Sequence, residues 1–517
     1  MRITNKIMQR NNLSNINTNK IYQDKLSTQM STQKKVNRPS DDPVVTIRAL
    51  RLRSNVTEIT QYYSKNIPDA ESWLSVTEDA LKNMTQIVTN MISQCTKGAN
   101  GDLTASDREI ILEQLKALGD EVYSTGDADY AGRYVFTGYR TDTSLRFPEE
   151  RNQEYTITEQ LDNSALGSLT KVNTDALLDW TENNYNGAGM SALDETKIES
   201  VDVYRIRLAY NDCKEGGDVT IRFGKQTDPA TGNITFANQW SAAGGEITPM
   251  HTYEDPYTAA ANNDDAIIYV AETGELLLGK NRYDQLMAVK DDPATVADES
   301  EIQVEYQKSE WAKGDLRPEH YFACKSEGIT YNDTYLQGGT NSQKIEYDVG
   351  FNQTIRVNST ADECFKHGIG REVDDLVASL QNVIDIEKVK TGIEKRLETA
   401  TGADAELLNQ QLVAAEKAYT LAKDKCQKLF EQGITSFQGY LDDTNLCITN
   451  CGTRGSKLDL IKTRMQNQKT TFETLKSENE DADITEVAIQ LSSAELTYEA
   501  ALMATGKVMQ TTLLNFI

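Results

Sequence analysis

Thirteen positions (Leu52, Val56, Ile59, Tyr63, Ile67, Ala70, Leu74, Thr77, Leu81, Met84, Val88, Met91 and Cys95) follow one another at steps of three or four residues, and all but Thr77 are apolar. Apolar residues at that spacing line one face of a helix, and a run of about six heptads is a coiled-coil seam. A seam so long needs an apolar surface of similar length against it, because helices draw most of their stability from packing. Pro68 stands inside the run and predicts a kink or break there. "GANG" at 98–101 ends it, and Thr104 with Asp107 stands at capping-box spacing for a shorter helix.

Candidate partners lie at the other end of the chain. Helical patterning returns after "HGIG" (367–370) and continues to the end. "CGTRG" followed by Ser456 and Asp459 reads as a helix break and a new cap. Leu458, Ile461, Met465, Phe472 and Leu475 form a seam with Gln468 as its polar member. After the acidic stretch "SENEDAD" a third seam follows: Ile484, Val487, Leu491, Ala494, Tyr498 and Ala501. Between the helical ends the texture is that of strands and turns. Tyr204, Ile206, Leu208 and Tyr210 alternate with Arg205, Arg207 and Ala209, and "AIIYVAETGELLLG" (266–279) reads as a hairpin. The expected fold class is mainly α with an inserted β domain: a rod of paired N- and C-terminal coiled-coil helices plus a β-rich (α+β) outer domain. The segments expected are 1–43 (N-terminal helix and joint), 44–140 (rod), 141–365 (β-rich insert), 366–480 (rod) and 481–517 (C-terminal helix).

The joint between the first helix and the seam is "KKVNRPSDDPVVTIRALRLRS" (34–54). Pro39, Ser40, Asp41, Asp42 and Pro43 interrupt helix, with Asp42 as a natural N-cap and Pro43 suited to the first helical position. The charge around it is unusual. Residues 1–53 carry eleven Lys/Arg against Asp24, Asp41 and Asp42, in a chain whose net charge is -26. That net charge argues against nucleic acid as a partner. The basic residues Lys34, Lys35, Arg38, Arg48, Arg51 and Arg53 are expected to meet acidic surfaces of adjacent subunits, or to be solvated.

The last thirty residues carry only Glu495, Glu499 and Lys507 as charges, and their apolar residues, among them Leu502, Met509, Leu513 and Phe516, wrap more than one face of a helix. A helix apolar around much of its circumference is buried. It is either docked on its own domain or packed between copies of itself, with Leu491, Tyr498, Leu502, Met509, Leu513 and Phe516 in the contact. The first forty residues, rich in Asn, form a helix that is marginal alone and needs a partner.

Nothing in the sequence assembles an active site, and neither a cofactor nor a metal is expected. His251, His320 and His367 are isolated, with no second His or Cys at metal-ligand spacing. Seven cysteines form no disulfide framework and read as buried thiols. "CGTRGSK" lacks the spacing of a phosphate loop. No stretch is apolar enough for membrane insertion, and "MRITNKIMQRNN" lacks the features of a cleaved secretory signal.

"VNRPSDDPVVTIRALRLRS" resembles the corresponding joint of the flagellin superfamily, in the form found in its hook–filament junction branch. "MRITNKIM", "SWLSVTEDAL" (72–81), "GRYVFTG" (132–138), "VGFNQTIRVNSTADECF" (349–365) and the closing "TTLLNFI" are similar to the same family in the same order. The resemblance covers roughly 1–145 and 350–517; the segment at about 146–348 is longer than the family's usual insert. It implies a flagellin-like structural subunit with no enzymatic activity. It also implies export through the flagellar type III system with a chaperone, and assembly outside the cell. The implied partners are further copies of itself, the upstream hook-associated junction protein and flagellin. Two alternatives stay open: a long flagellin that forms the filament itself, and an adhesin, glycan-binding or enzymatic module carried on the insert, whose aromatic strands (Tyr204, Tyr210, Phe223, Phe236, Trp240) permit sugar contacts.

Overall fold

The computed structural model describes residues 5–227, 234–288, 301–337 and 343–510. The chain divides into two compact units, Met1–Ala70 with Tyr347–Ile355 and Ser456–Ile517, and Glu71–Glu346 with Arg356–Gly455. Long N- and C-terminal helices flank a mixed β-sheet region in sequence.

The seam helix is continuous but not uniform. Pro43–Gln61 is α-helical, Tyr62–Asn66 is a π turn, and Ile67–Gly98 is α-helical again. Of the kink or break expected at Pro68, the break does not occur: the helix passes through it by way of the π turn. Proline removes one N–H and its ring crowds the preceding turn. A π turn, with bonds to the fifth residue back, loosens the winding just ahead of it; the Ile67 N–H bonds the Tyr62 carbonyl. The wider turn also suits the seam. Ile59 and Ile67 are eight residues apart over two turns, more than the roughly 3.6 per turn of an α-helix accommodates, yet both are buried. Ala70, Leu74, Thr77, Leu81, Met84, Val88, Met91 and Cys95 are buried too.

The "CGTRG" break is also overturned: one helix runs from Ala403 to Glu480 without interruption. A helical glycine costs only about 1 kcal/mol relative to alanine, and buried Cys451, Leu458 and Ile461 hold the helix on both sides of Gly452 and Gly455. The real interruptions lie elsewhere. Gly402, at φ +65, separates Gly368–Leu397 from the long helix, and residues 481–483 separate the long helix from Ile484–Gln510.

In the larger unit, the helices Ala105–Gly126 and Gly368–Leu397 and the part of the long helix around Tyr419 meet at the buried guanidinium of Arg108. It reaches Glu387 at 2.7 Å and the Tyr419 hydroxyl at 2.8 Å. Thr104 and Asp107 close the expected capping box. Besides the two-stranded Glu346–Gly350 and Gln353–Arg356 pair, the described residues of the insert form two larger sheets. The larger runs Ile329–Tyr331, Ala323–Ser326, Arg151–Leu161, Ile302–Trp311, Thr220–Thr227 and Ile234–Ser241, all antiparallel. The smaller runs Leu166–Val172, Ser200–Arg207, Glu275–Leu278, Ile267–Val270 and Thr248–Pro249, with the last pair parallel. The hairpin read at 266–279 pairs Val270 with Glu275. Its turn requires Gly274, at φ +63, where a Cβ would lie 1.9 Å from the Tyr210 carbonyl oxygen.

Candidate assembly interface

The joint is built locally first. Pro39 and Ser40 occupy a turn closed in both directions between Arg38 and Asp41, the Asp41 N–H donating to the Arg38 carbonyl at 3.0 Å and the Arg38 N–H to Asp41 Oδ2 at 3.0 Å. Proline pre-sets the backbone for such a turn. Asp42 accepts from the Val44 and Val45 N–H groups, with Pro43 at the helix start.

The joint then closes onto a distant part of the same chain. Gln33, at φ +58, ends the first helix, and its carbonyl accepts from the Ala482 N–H at 3.0 Å. The Lys35 N–H donates to the Glu480 carbonyl at 2.7 Å. Lys34 Nζ reaches Asp481 at 2.5 Å, Lys35 Nζ donates to the Glu478 carbonyl at 2.6 Å, and Arg53 forks onto Glu480 at 2.5 and 2.8 Å. The bidentate Arg53 contact holds the Glu480 carboxyl below its usual range, as Lys34 does for Asp481. Lys34, Lys35 and Arg53 were expected to meet neighbouring subunits or water; the structure pairs them with the chain's own acidic stretch. About 430 residues separate Arg53 from Glu480, so no local pattern reveals the pair. Arg48 and Arg51 are exposed and have no ion pair among the described residues.

The terminal helices Asn5–Thr32 and Ile484–Gln510 lie against each other, but little is buried between them. Leu26, Val487 and Ala494 form the core of the contact, with Ala482 and Leu491 packed beside it. The Tyr22 hydroxyl donates to Gln490 at 3.3 Å. Tyr498 is half-buried and Leu502 exposed. Ile7, Leu13 and Ile21 on one helix and Ile489, Leu496 and Met503 on the other are exposed, Leu496 at 70%. Val44, Ile47 and Leu50 after the joint are exposed as well. The Met509 side chain, Leu513 and Phe516 lie outside the described residues. Isolated surface leucines are ordinary, but here exposed apolar residues are ranged along both paired helices, which makes the pair a candidate interaction surface.

The histidines and cysteines make the following contacts. His320 Nε2 donates to the Ser144 carbonyl at 3.2 Å, and burial pushes its pKa down to about 4. His367 packs among Tyr210, Tyr321 and Phe322, and burial lowers it to about 3. His251 is not isolated as the sequence suggested. Its Nδ1 sits 3.0 Å from Glu272 and 3.8 Å from Glu215, which raises its pKa, chiefly through the Glu272 hydrogen bond. These three donors converge from positions 215, 251 and 272, so spacing along the chain does not reveal them. The hydrogen bond itself accounts for the geometry. None of the three histidines meets a serine or cysteine side chain among the described residues. All seven cysteines are free and buried, and the Cys447 and Cys451 thiols donate to the carbonyls of Glu363 and Leu74. Of the aromatic residues considered for sugar contact, Tyr210 and Trp240 are buried, Phe223 packs on Trp240, and Tyr204 stacks on Tyr283.

No helix among the described residues is long and apolar enough to cross a membrane. Residues 3–141 match the family described as the bacterial flagellin N-terminal helical region. The chain is 30% identical over 145 residues to flagellar hook-associated protein 3 of Salmonella typhimurium, covering 28% of this chain and 45% of that protein. It is 30% identical over 154 residues to flagellar hook-associated protein 3 of Escherichia coli, covering 30% and 48%. The matches thus span about half the length of those relatives. A flagellin of Clostridium tyrobutyricum is 27% identical over 122 residues, covering 24% of this chain and 32% of that one. Solved structures aligned to it include FlgL from Xanthomonas campestris, at 12% identity over 82% of this chain and 98% of that one, with a TM-score of 0.27. Another is the flagellar junction protein FlgL from Legionella pneumophila, at 11% identity over 80% and 99%, with a TM-score of 0.24. Scores this low do not equate the arrangement of whole chains. Residues 3–141 thus match the bacterial flagellin N-terminal helical region, and over the aligned stretch the chain is similar to flagellar hook-associated protein 3.

Proposed function

We propose that this chain is a structural subunit of the bacterial flagellum, joining a hook-associated protein to the flagellin filament by ordered self-assembly of its terminal helices. The observation that carries the reading is the terminal helix pair, which is held together by three buried side chains and presents apolar residues along both members. Homology to hook-associated protein 3 supports it. In this reading residues 1–43 and 481–517 form an inner layer with neighbouring subunits, 44–140 and 366–480 form the rod, and 141–365 form the outer domain. Leu491, Tyr498, Leu502, Met509, Leu513 and Phe516 contribute to the inner layer, and Arg48 and Arg51 face acidic neighbours. The subunit is exported by the flagellar type III route with a chaperone on its C-terminal helix and works outside the cell.

Electron microscopy of purified protein added to hook–basal bodies tests this, with and without the upstream hook-associated protein and flagellin. A short terminal zone that forms only on the upstream protein and supports flagellin growth is expected. Charge reversal at Arg48 and Arg51 weakens that zone at low salt. Long filaments of this protein alone would overturn the junction role in favour of a filament-forming flagellin.

A further inference from the structure

A cavity of about 560 Å³ lies where the smaller sheet meets the helix Gly368–Leu397 and the part of the long helix around Lys425 and Leu429, and its lining residues are all within the larger unit. Its walls are crowded with charge, yet most of that charge is matched. Arg205 pairs with Glu275 and with Asp375, each at 2.5 Å, and Arg207 also pairs with Asp375. Arg371 donates to the Leu208 and Thr273 carbonyls at 3.1 and 2.7 Å and reaches Asp374 at 3.5 Å. Glu272 is taken up by Thr252 and His251. Lys116, at the rim, has Glu113 at 3.5 Å.

Two cations are left over. Lys171, on the strand Leu166–Val172, and Lys425, on the long helix, both line the cavity, and neither has an ion pair among the described residues. Lys171 Nζ lies 4.8 Å from the centre of the Tyr257 ring, a contact that suits a cation. Among the described residues Lys425 has no ring beneath it; burial first, and then the neighbouring Lys171 and Arg205 cations, push its pKa down to about 8 against the weaker pull of Asp375 and Glu275, which the arginines already hold. Partly buried like charges repel and lose hydration. A chain with a net charge of -26 has carboxylates in excess, yet those in this cavity are already committed to arginines or to His251.

We infer that the cavity binds a small anion bearing a carboxylate or phosphate group, with Lys171 and Lys425 supplying its counter-charge. Its volume is in the range of small-molecule pockets, roughly 300–1,000 Å³. The site is independent of the assembly reading, which rests on the other unit.

Calorimetric titration of the full chain near neutral pH, with inorganic phosphate and separately with glucuronate, tests the site. Saturable binding of at least one probe is expected, weakened by about tenfold or more in Lys425→Met and in Lys171→Met. The exposed Lys395→Met should bind as wild type does. Tighter binding of phosphate indicates a phosphoester ligand, and tighter binding of glucuronate a sugar acid. Absence of binding by both probes, or binding that neither cavity variant weakens, would overturn the proposal. Should the variants fail to fold, trace acetylation of the wild-type chain decides. A saturating probe should slow acetylation of Lys425 relative to Lys395, and an unchanged ratio would overturn the site.

Discussion

The seam from Ile59 to Cys95 and the helix pair formed by the two ends of the chain carry the same kind of pattern and meet opposite fates. Along the seam, all but Tyr63 are buried. Along the terminal pair, Leu26, Val487 and Ala494 are buried while Leu13, Ile21, Ile489, Leu496 and Met503 stay exposed. The difference lies in what covers the face. The seam is covered by other segments of this chain, whereas the terminal pair has more apolar surface than two helices can hide from each other. A periodic apolar face states that cover is needed; it does not state whether the cover belongs to the same molecule.

The sharpest way to break this comparison is to truncate one residue from each region. Leu81→Ala removes a fully buried side chain and should cost about 2–5 kcal/mol of folding stability in urea denaturation. Leu496→Ala should change the stability of the free chain by less than about 0.5 kcal/mol, while reducing assembly measured by sedimentation. A loss at Leu496 equal to that at Leu81 would mean that the terminal pair stabilises the free chain and that the contrast is wrong.

The contrast extends to charge. Glu159 is buried in the larger sheet, accepting from the Tyr306 hydroxyl and, at 2.7 Å, from the Ala209 N–H. Burial raises its carboxyl from 4.5 to about 7. A raised pKa means that the folded state holds its proton longer than the unfolded state does, so this contribution is complete below pH 4.5 and is lost as pH rises to about 7. Glu159→Gln keeps an acceptor but cannot ionise. It should match wild type in acid and be more stable by on the order of 3 kcal/mol at alkaline pH, as thermal denaturation across pH would report. Equal stability at both ends of the range would place the proton elsewhere.

The smallest effect is expected at the joint. Arg53 is more than half exposed although Glu480 is buried, so solvent screens the pair. Arg53→Gln should cost no more than about 1 kcal/mol. Because Glu480 is held below its ordinary value, the contribution is present above that value and fades as pH falls through the lowered one. The informative readout is local: faster hydrogen exchange at the Lys35 and Ala482 amides, which bridge the joint to the acidic stretch. Unchanged exchange would show that the backbone bridges hold without the side-chain fork.

Features whose partners lie within a few residues were legible from the sequence. The Asp42–Pro43 helix start, the Thr104–Asp107 box, the 266–279 hairpin and the seam all follow from local capping, turn chemistry and period. Local signals misled where a stronger neighbour overrode them. Pro68 was absorbed by a π turn, and Gly452 and Gly455 were carried through a helix held by buried residues on either side. What the sequence by itself determined is which faces must be covered and where the helices at Pro43 and Ala105 begin. Which acidic stretch the joint's cations meet, which donors gather around His251 and which lysines are left without partners were decided only by tertiary structure. Those pairings join residues tens to hundreds of positions apart, and only packing of the whole chain brings them within hydrogen-bonding distance.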